Sequence, residues 1–242
     1  MSNAILALWN DYPAAMAEEY EAWHTFEHVP ERLTVPGMRA ARRYISSADR
    51  ESYFTLYELQ ELAVIEHPAY LDLVRNPTLW SSRMRQHFSN VLRIPGETVV
   101  RAGNGIGGAA VVQAYSVERS KALGSMPKME AILKQFVTEA CIFGFQLALA
   151  EPNQIYEVFD QTETTDPDTV NVVVIAEGTS VDALSRIKAA MTHQIEICLQ
   201  PRKILRNDLF RLLISYRGDD FPSHRSQIVS NTMWQGSGAS LK

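Results

Sequence analysis

Tyr20-Glu-Ala-Trp23-His24-Thr-Phe-Glu27-His28-Val-Pro-Glu31-Arg32-Leu-Thr-Val-Pro-Gly37 places ionisable side chains where a helix should bury hydrocarbon. Projected at about 100° per residue, Met16, Tyr20 and Trp23 share one side with His24, Glu27 and Glu31, and His28 lies at its edge. Glu18, Glu21, Thr25 and Arg32 fall on the opposite side. An unpartnered buried carboxylate costs several kcal/mol, so this stripe needs either paired groups or a cavity open to water and ligand. His24 and His28 are the pairing candidates.

Outward from this helix the pattern is regular. Ile5 to Trp9 reads as a strand closed by Asn-Asp-Tyr-Pro, and the helix runs from Ala14 to about Leu33 until Pro36-Gly37 turns the chain. Arg39 to Ser46 and Ser52 to Leu59 read as a hairpin. A helical region follows from Ala63 through Arg75, interrupted at Asn76-Pro77 and resumed from Trp80 to Phe88. Val91 to Val100 closes the unit, broken by Pro95-Gly96. The same order then returns as a strand at Ala109 to Val117, a helix at Lys128 to Thr138, strands at Ile142 to Leu149 and Val170 to Ala176, a helix at Val181 to Ile195 and a strand at Leu209 to Tyr216.

The expected fold class is therefore α+β, with two tandem ferredoxin-like β-α-β-β-α-β units. A sheet with helices on one face leaves its other face uncovered, so the two sheets are expected to close on each other as an internal dimeric α/β barrel. Residues 1–102 form the first half, 103–108 a glycine-rich joint, 109–217 a degenerate second half and 218–242 a polar tail. Asp160 to Asp168 reads as an exposed loop.

The 242 residues carry 23 basic and 28 acidic side chains, a net charge of -5, with no basic field for nucleic acid or an anionic membrane. Cys141 and Cys198 lack metal-site or disulfide spacing. No run of about 18 apolar residues or basic-then-apolar leader occurs. The expectation is a cytoplasmic protein acting on a small organic substrate, with no nucleic-acid or membrane partner; a homodimer is compatible with this reading.

Three roles are open to His24 and His28: an acid-base pair with Glu27 or Glu31 orienting the imidazoles, a metal site completed by the same carboxylates, or a hydrogen-bonded helix end. The string is not His-Glu-x-x-His, which argues against the metalloprotease arrangement, and no metal is assigned. Alternation puts Arg42 and Tyr44 on one face of their strand and Arg43 on the other; an arginine facing the helix can hold a carboxylate or an enolate. Trp9, Tyr20, Tyr44, Tyr57 and Trp80 are the candidates for an aromatic, substrate-binding wall. Trp80 to His87 adds a basic helix cap that either closes the pocket or faces solvent. Gly103 to Gly108 matches Gly-x-Gly-x-x-Gly but precedes a strand rather than the helix that a dinucleotide site requires.

The string Trp-His-x-x-Glu-His-x-Pro-Glu-Arg-Leu-x-x-Pro-Gly (Trp23 to Gly37), followed by Arg42-Arg43-Tyr44 and Tyr53-Phe54-x-Leu-Tyr57-Glu58, resembles the dimeric α/β-barrel superfamily, closest to its EthD-like members. The resemblance extends over residues 4–95 and is architectural over 108–216. It implies a histidine on the first helix looking into a cavity, for which His24 and His28 are the matching positions. Superfamily members include cofactor-independent isomerases, lyases, cyclases and monooxygenases, as well as haem-binding proteins. The leading expectation is a cofactor-independent isomerase, lyase or cyclase in which His28 or His24 shuttles a proton and Arg42 or Arg43 neutralises an oxyanion; a haem protein or a non-catalytic binding module is the alternative.

Overall fold

In a computed structural model the structure describes residues 3–154, 156–159 and 164–228. Eight antiparallel strands close into one barrel: β1 (Ala4–Asp11), β2 (Met38–Ser46), β3 (Ser52–Leu59), β4 (Ser89–Gly103), β5 (Ala109–Glu118), β6 (Gly144–Ala150), β7 (Thr169–Gly178) and β8 (Lys203–Arg217), in the spatial order β1-β3-β2-β8-β5-β7-β6-β4. Helices α1 (Ala17–Trp23), α2 (Val29–Leu33), α3 (Pro68–Arg75) and α4 (Leu79–Arg85) cover one side, and α5 (Arg119–Thr138) and α6 (Val181–Leu199) the other.

The two longest strands make the closure. The first part of β4 pairs with β1, and its end pairs with β6 over Glu97 to Gly103. In the same way β8 pairs with β5 through Lys203 to Arg211 and with β2 through Phe210 to Arg217. Each is 15 residues long, beyond the expected Val91–Val100 and Leu209–Tyr216, because each serves two neighbours in succession. Pro95-Gly96 does not break β4. At Gly96 the Leu149 carbonyl oxygen lies 2.8 Å from where a Cβ would sit, so the missing side chain lets two backbones approach. Gly103, at φ +93°, turns the strand end against Phe143 and Gly144.

Alternation along the strands sorts the chain into an inside and an outside. The barrel interior is filled by residues such as Ile5, Trp9, Phe54, Ile94, Ile175 and Phe210, drawn only from strands. On the second-half side, one continuous apolar cluster built around Tyr115, Met129, Leu133, Val174 and Met191 fills the space beneath α5 and α6. α5 begins at Arg119, earlier than the expected Lys128, and runs through both Gly124 and Pro127 because its apolar face packs regardless of those breakers. The first-half side is not continuous: one cluster around Val29, Leu59 and Leu73 and another around Tyr12, Tyr20, Trp23 and Trp80 leave a gap between them.

The polar tail is partly anchored. Arg225 bonds Glu31 at 3.0 Å and Asp72 at 3.3 Å. Residues 229–242 and much of the expected Asp160–Asp168 loop lie outside the described residues. Among the described residues, no helix is long and apolar enough to cross a membrane.

Candidate functional site

The expected continuous helix from Ala14 to Leu33 is interrupted by a π-helical turn at His24–His28, between α1 and α2. Pro30 supplies the cause: it has no N–H to offer the Phe26 carbonyl, and its ring would press on that carbonyl in a regular helix. The chain widens instead, and the Val29 N–H bonds the His24 carbonyl, five residues back. The extra residue rotates everything beyond it relative to a 100° projection. Arg32, expected on the solvent side, is thereby brought to the buried face, where it is 5% exposed.

The widened turn also stacks the two imidazoles. The rings of His24 and His28 lie 5.0 Å apart at 27°, with Tyr20 stacked on His24 at 5.1 Å and Trp23 against His28 at 4.5 Å. Burial, with the positive charges of Arg43 and Arg32, holds His24 well below the usual imidazole value. Burial, Arg32 and His24 do the same for His28. Both rings are accordingly held in the neutral form, and the buried Nδ1 of His24 has no hydrogen-bond partner.

Both histidines line a cavity in the gap of the first-half helix layer, between the π turn, the outer face of the sheet and α3–α4. Leu6, Thr55 and Tyr57 form its floor, Arg32, Tyr70 and Arg85 its polar wall, and Phe88, Tyr156 and Phe159 its mouth. It encloses about 490 Å³ between atoms, open mouth included, but only about 20 Å³ admits the centre of a water-sized sphere. That is room for one or two waters. Arg85 donates to the carbonyls of Val74 and Leu73 at 2.8 Å each, placing its charge at the C-terminus of α3, where the helix dipole favours it. The buried Nη1 of Arg32 has no partner, and its guanidinium lies 5.1 Å from the Tyr70 ring centre. No carboxylate lines this cavity among the described residues.

The other sequence candidates divide by face. Arg42 and Tyr44 turn into the barrel. Arg42 is held by Glu58 and by Glu177 at 2.6 Å, and the Tyr44 hydroxyl lies 3.3 Å from the same Glu177. Trp9 also faces the barrel interior, so neither it nor Tyr44 joins the pocket wall. Arg43 faces the helices, bonded to Thr25 and to Glu21 at 3.1 Å, with its guanidinium 5.6 Å from the Tyr20 ring centre; it stands behind His24 rather than on the cavity surface. Tyr20 and Trp80 pack in the aromatic cluster beside the cavity, and Tyr57 lines it. Glu27 accepts from Thr78 Oγ1 at 2.5 Å and Ser81 Oγ at 3.3 Å, fastening α4 to the π turn. Glu31 is committed to Arg225, although burial raises its pKa.

Arg32, Tyr70, Tyr156 and Phe159 are among the cavity residues that sequence reasoning did not assign to a site, whereas Arg85 belongs to the Trp80–His87 cap read as closing the pocket or facing solvent. Tyr70 carries a recognisable signal in retrospect, being a phenol on the same helix face as Leu73 and Val74. Tyr156 and Phe159 carry none, since a loop in the second half gives no indication that it reaches across to the first.

No protein-family model matches the sequence, and no curated protein does. Among solved structures, the chain is similar to an anthrone oxidase-like protein (TM-score 0.66, 8% identity, 90% of this chain and 93% of that one). It is also similar to a protein of Fusobacterium nucleatum subsp. nucleatum described as a candidate monooxygenase (TM-score 0.57, 8% identity, 89% and 95% covered) and to another of that description from Lactobacillus acidophilus NCFM (TM-score 0.52, 8% identity, 89% and 97% covered). The chain has the dimeric α/β-barrel fold, here closed within a single polypeptide.

His24 and His28 are the nitrogens on the cavity wall that could serve as axial ligands to haem. As the side chains stand, the space beside them is too small for the macrocycle and for any ligand larger than a few atoms, so entry of either requires the lining side chains to shift.

Proposed function

We propose that this chain is a proton-transfer enzyme of isomerase, lyase or cyclase type, acting without a bound cofactor on a small cyclic or aromatic compound. In this reading residues 1–102 carry the site, 103–108 join the halves, and 109–217 are a second ferredoxin-like unit that completes the barrel. The observation that carries it is the stacked pair of neutral imidazoles facing a cavity lined also by a buried guanidinium with one unpartnered nitrogen.

His28 or His24 takes a proton from a carbon beside a carbonyl or an electron-poor ring, becoming imidazolium. The enolate oxygen that forms is stabilised by Arg32, in the role first expected of Arg42 or Arg43. Arg43 acts on His24 at a distance, by keeping it uncharged until the proton arrives. Glu27 and Glu31 brace the frame through α4 and Arg225. Return of the proton to the same or another carbon completes exchange or isomerisation.

Deuterium incorporation from D2O, followed by NMR, tests this directly. Anthrone is a suitable first compound, because its methylene hydrogens are acidic and one structural neighbour is described as anthrone oxidase-like. Cyclic 1,3-diketones extend the series. Exchange accelerated by wild type and lost in His24→Ala and His28→Ala is the expected result; exchange that persists at the wild-type rate in both variants would refute the proposal. Dioxygen uptake measured on the same samples distinguishes an enolate that is simply reprotonated from one that is oxidised.

A further inference from the structure

We propose that Tyr70 is a second catalytic group in the cavity, a phenolate that takes the proton from an acidic hydroxyl of the ligand, so that the site selects phenolic or enolic compounds. This rests on the small-molecule reading above and narrows it to a substrate class.

One arginine touches the phenol oxygen and a second lies over its ring. Tyr70 is buried on α3, and its hydroxyl lies 3.3 Å from Arg93 Nη2 on β4. The Arg32 guanidinium, from α2, lies over its ring. Tyr156, from the segment between β6 and β7, hydrogen-bonds the same oxygen while its own ring packs 4.3 Å from the Arg93 guanidinium carbon. Arg85 of α4, Tyr57 of β3, His24 and His28 on the cavity wall and, through Arg32 and Arg85, Glu31 of α2 are the other ionisable groups around it. Burial alone would oppose ionisation of Tyr70, but Arg93 and then Arg32 outweigh it, and the phenol falls below its ordinary value of 10. Burial and the neighbouring Tyr70 instead push Tyr156 up to about 12, so Tyr156 remains the hydrogen-bond donor of the pair.

Charge balance points the same way. Arg32 and Arg85 line the cavity, Arg93 stands behind Tyr70, and the wall carries no carboxylate among the described residues. Glu31 is the carboxylate near Arg32 and Arg85, and it is already paired with Arg225 at 3.0 Å; an ionised Tyr70 adds a negative charge within the cavity wall itself, where buried cations are costly without one. When a ligand hydroxyl enters, its O–H bond breaks and a Tyr70 Oη–H bond forms. The ligand becomes the phenolate or enolate, and the negative charge moves from one oxygen to another beside the same arginines. No charge is created, and the ligand is left electron-rich at carbon, where it can take up a proton; the proton now on Tyr70 keeps the exchange in balance.

Spectrophotometric titration of the tyrosines tests the first half of the proposal. In wild type one phenolate band should rise well before the others, and this step should be absent in Tyr70→Phe. If Tyr70→Phe does not fold, Arg93→Gln should move the early step to higher pH. A wild-type titration in which no tyrosine ionises ahead of the rest overturns the proposal without any variant.

The second half uses 2-naphthol and 2-methoxynaphthalene near neutral pH. Wild type should bind 2-naphthol with the absorption of the naphtholate and should bind the methyl ether at least tenfold more weakly; equal binding, or 2-naphthol bound in its neutral form, overturns the assignment. Naphtholate formation without deuterium exchange at carbon supports Tyr70 while removing the carbon-acid reading. Exchange at carbon with no early tyrosine step does the reverse.

Discussion

Acidification should weaken this fold through two residues in particular. His24 and His28 have folded-state pKa values well below 6.5, because burial and nearby arginines disfavour their charged forms. In the unfolded chain they titrate at about 6.5. Below that value the unfolded state binds protons that the folded state refuses, so stability falls as pH falls; above it both states are neutral and the effect vanishes. Between about pH 7.5 and 5.5, each imidazole that stays neutral throughout in the folded protein removes about 1.4 kcal/mol, or about 2.7 kcal/mol for the pair. Urea unfolding at several pH values, with the slope against denaturant held common, measures this. Each of His24→Gln and His28→Gln should flatten the dependence by about half, and the double variant should leave only the contribution of the carboxylates. Variants that track the wild-type curve in parallel would show that the histidines are not neutral in the folded protein, and with that the proposed base would be lost.

Other perturbations address the frame and the chemistry separately. Arg42→Ala leaves Glu177 without its cation inside the barrel, while Glu58 keeps Arg101 at 2.9 Å, and should cost about 3 kcal/mol in denaturant unfolding. Gly103→Ala should be worse than Gly105→Ala. Both glycines have φ near +90°, which costs about 1–3 kcal/mol for another residue, but only at position 103 does the new Cβ also fall 2.1 Å from the Phe143 carbonyl oxygen. Thermal melts of the two variants isolate that clash. Arg32→Leu should lower deuterium exchange about 10²- to 10³-fold.

Most of the fold could be read from periodicity. Every strand and helix of the repeated order has a counterpart in the structure, because alternation and 3.6-residue spacing are local properties. The lengths of β4 and β8 could not be read, since the second partner of each strand lies in the other half of the chain. Within the site, His24 and His28 were legible as polar residues on an apolar face. Arg32 was misplaced because Pro30 widens the helix just before it, and a projection at constant angle carries that error forward. Arg42 and Arg43 were correctly put on opposite faces, yet alternation does not say that the inward one is occupied by two glutamates from separate strands.

Closing the barrel within one polypeptide has a consequence for how its parts can change. When two identical subunits form such a barrel, symmetry requires every loop and every pocket to appear twice, and a residue improved for one role is altered in both copies. Here Tyr156 and Phe159, from the segment between β6 and β7, line the cavity under α1–α4, while the connection between β2 and β3 is a short hairpin turn. One half has been free to keep a solid apolar layer under its helices, and the other to open a gap there. A single chain can thus divide labour between roof and hearth, which a symmetric pair cannot.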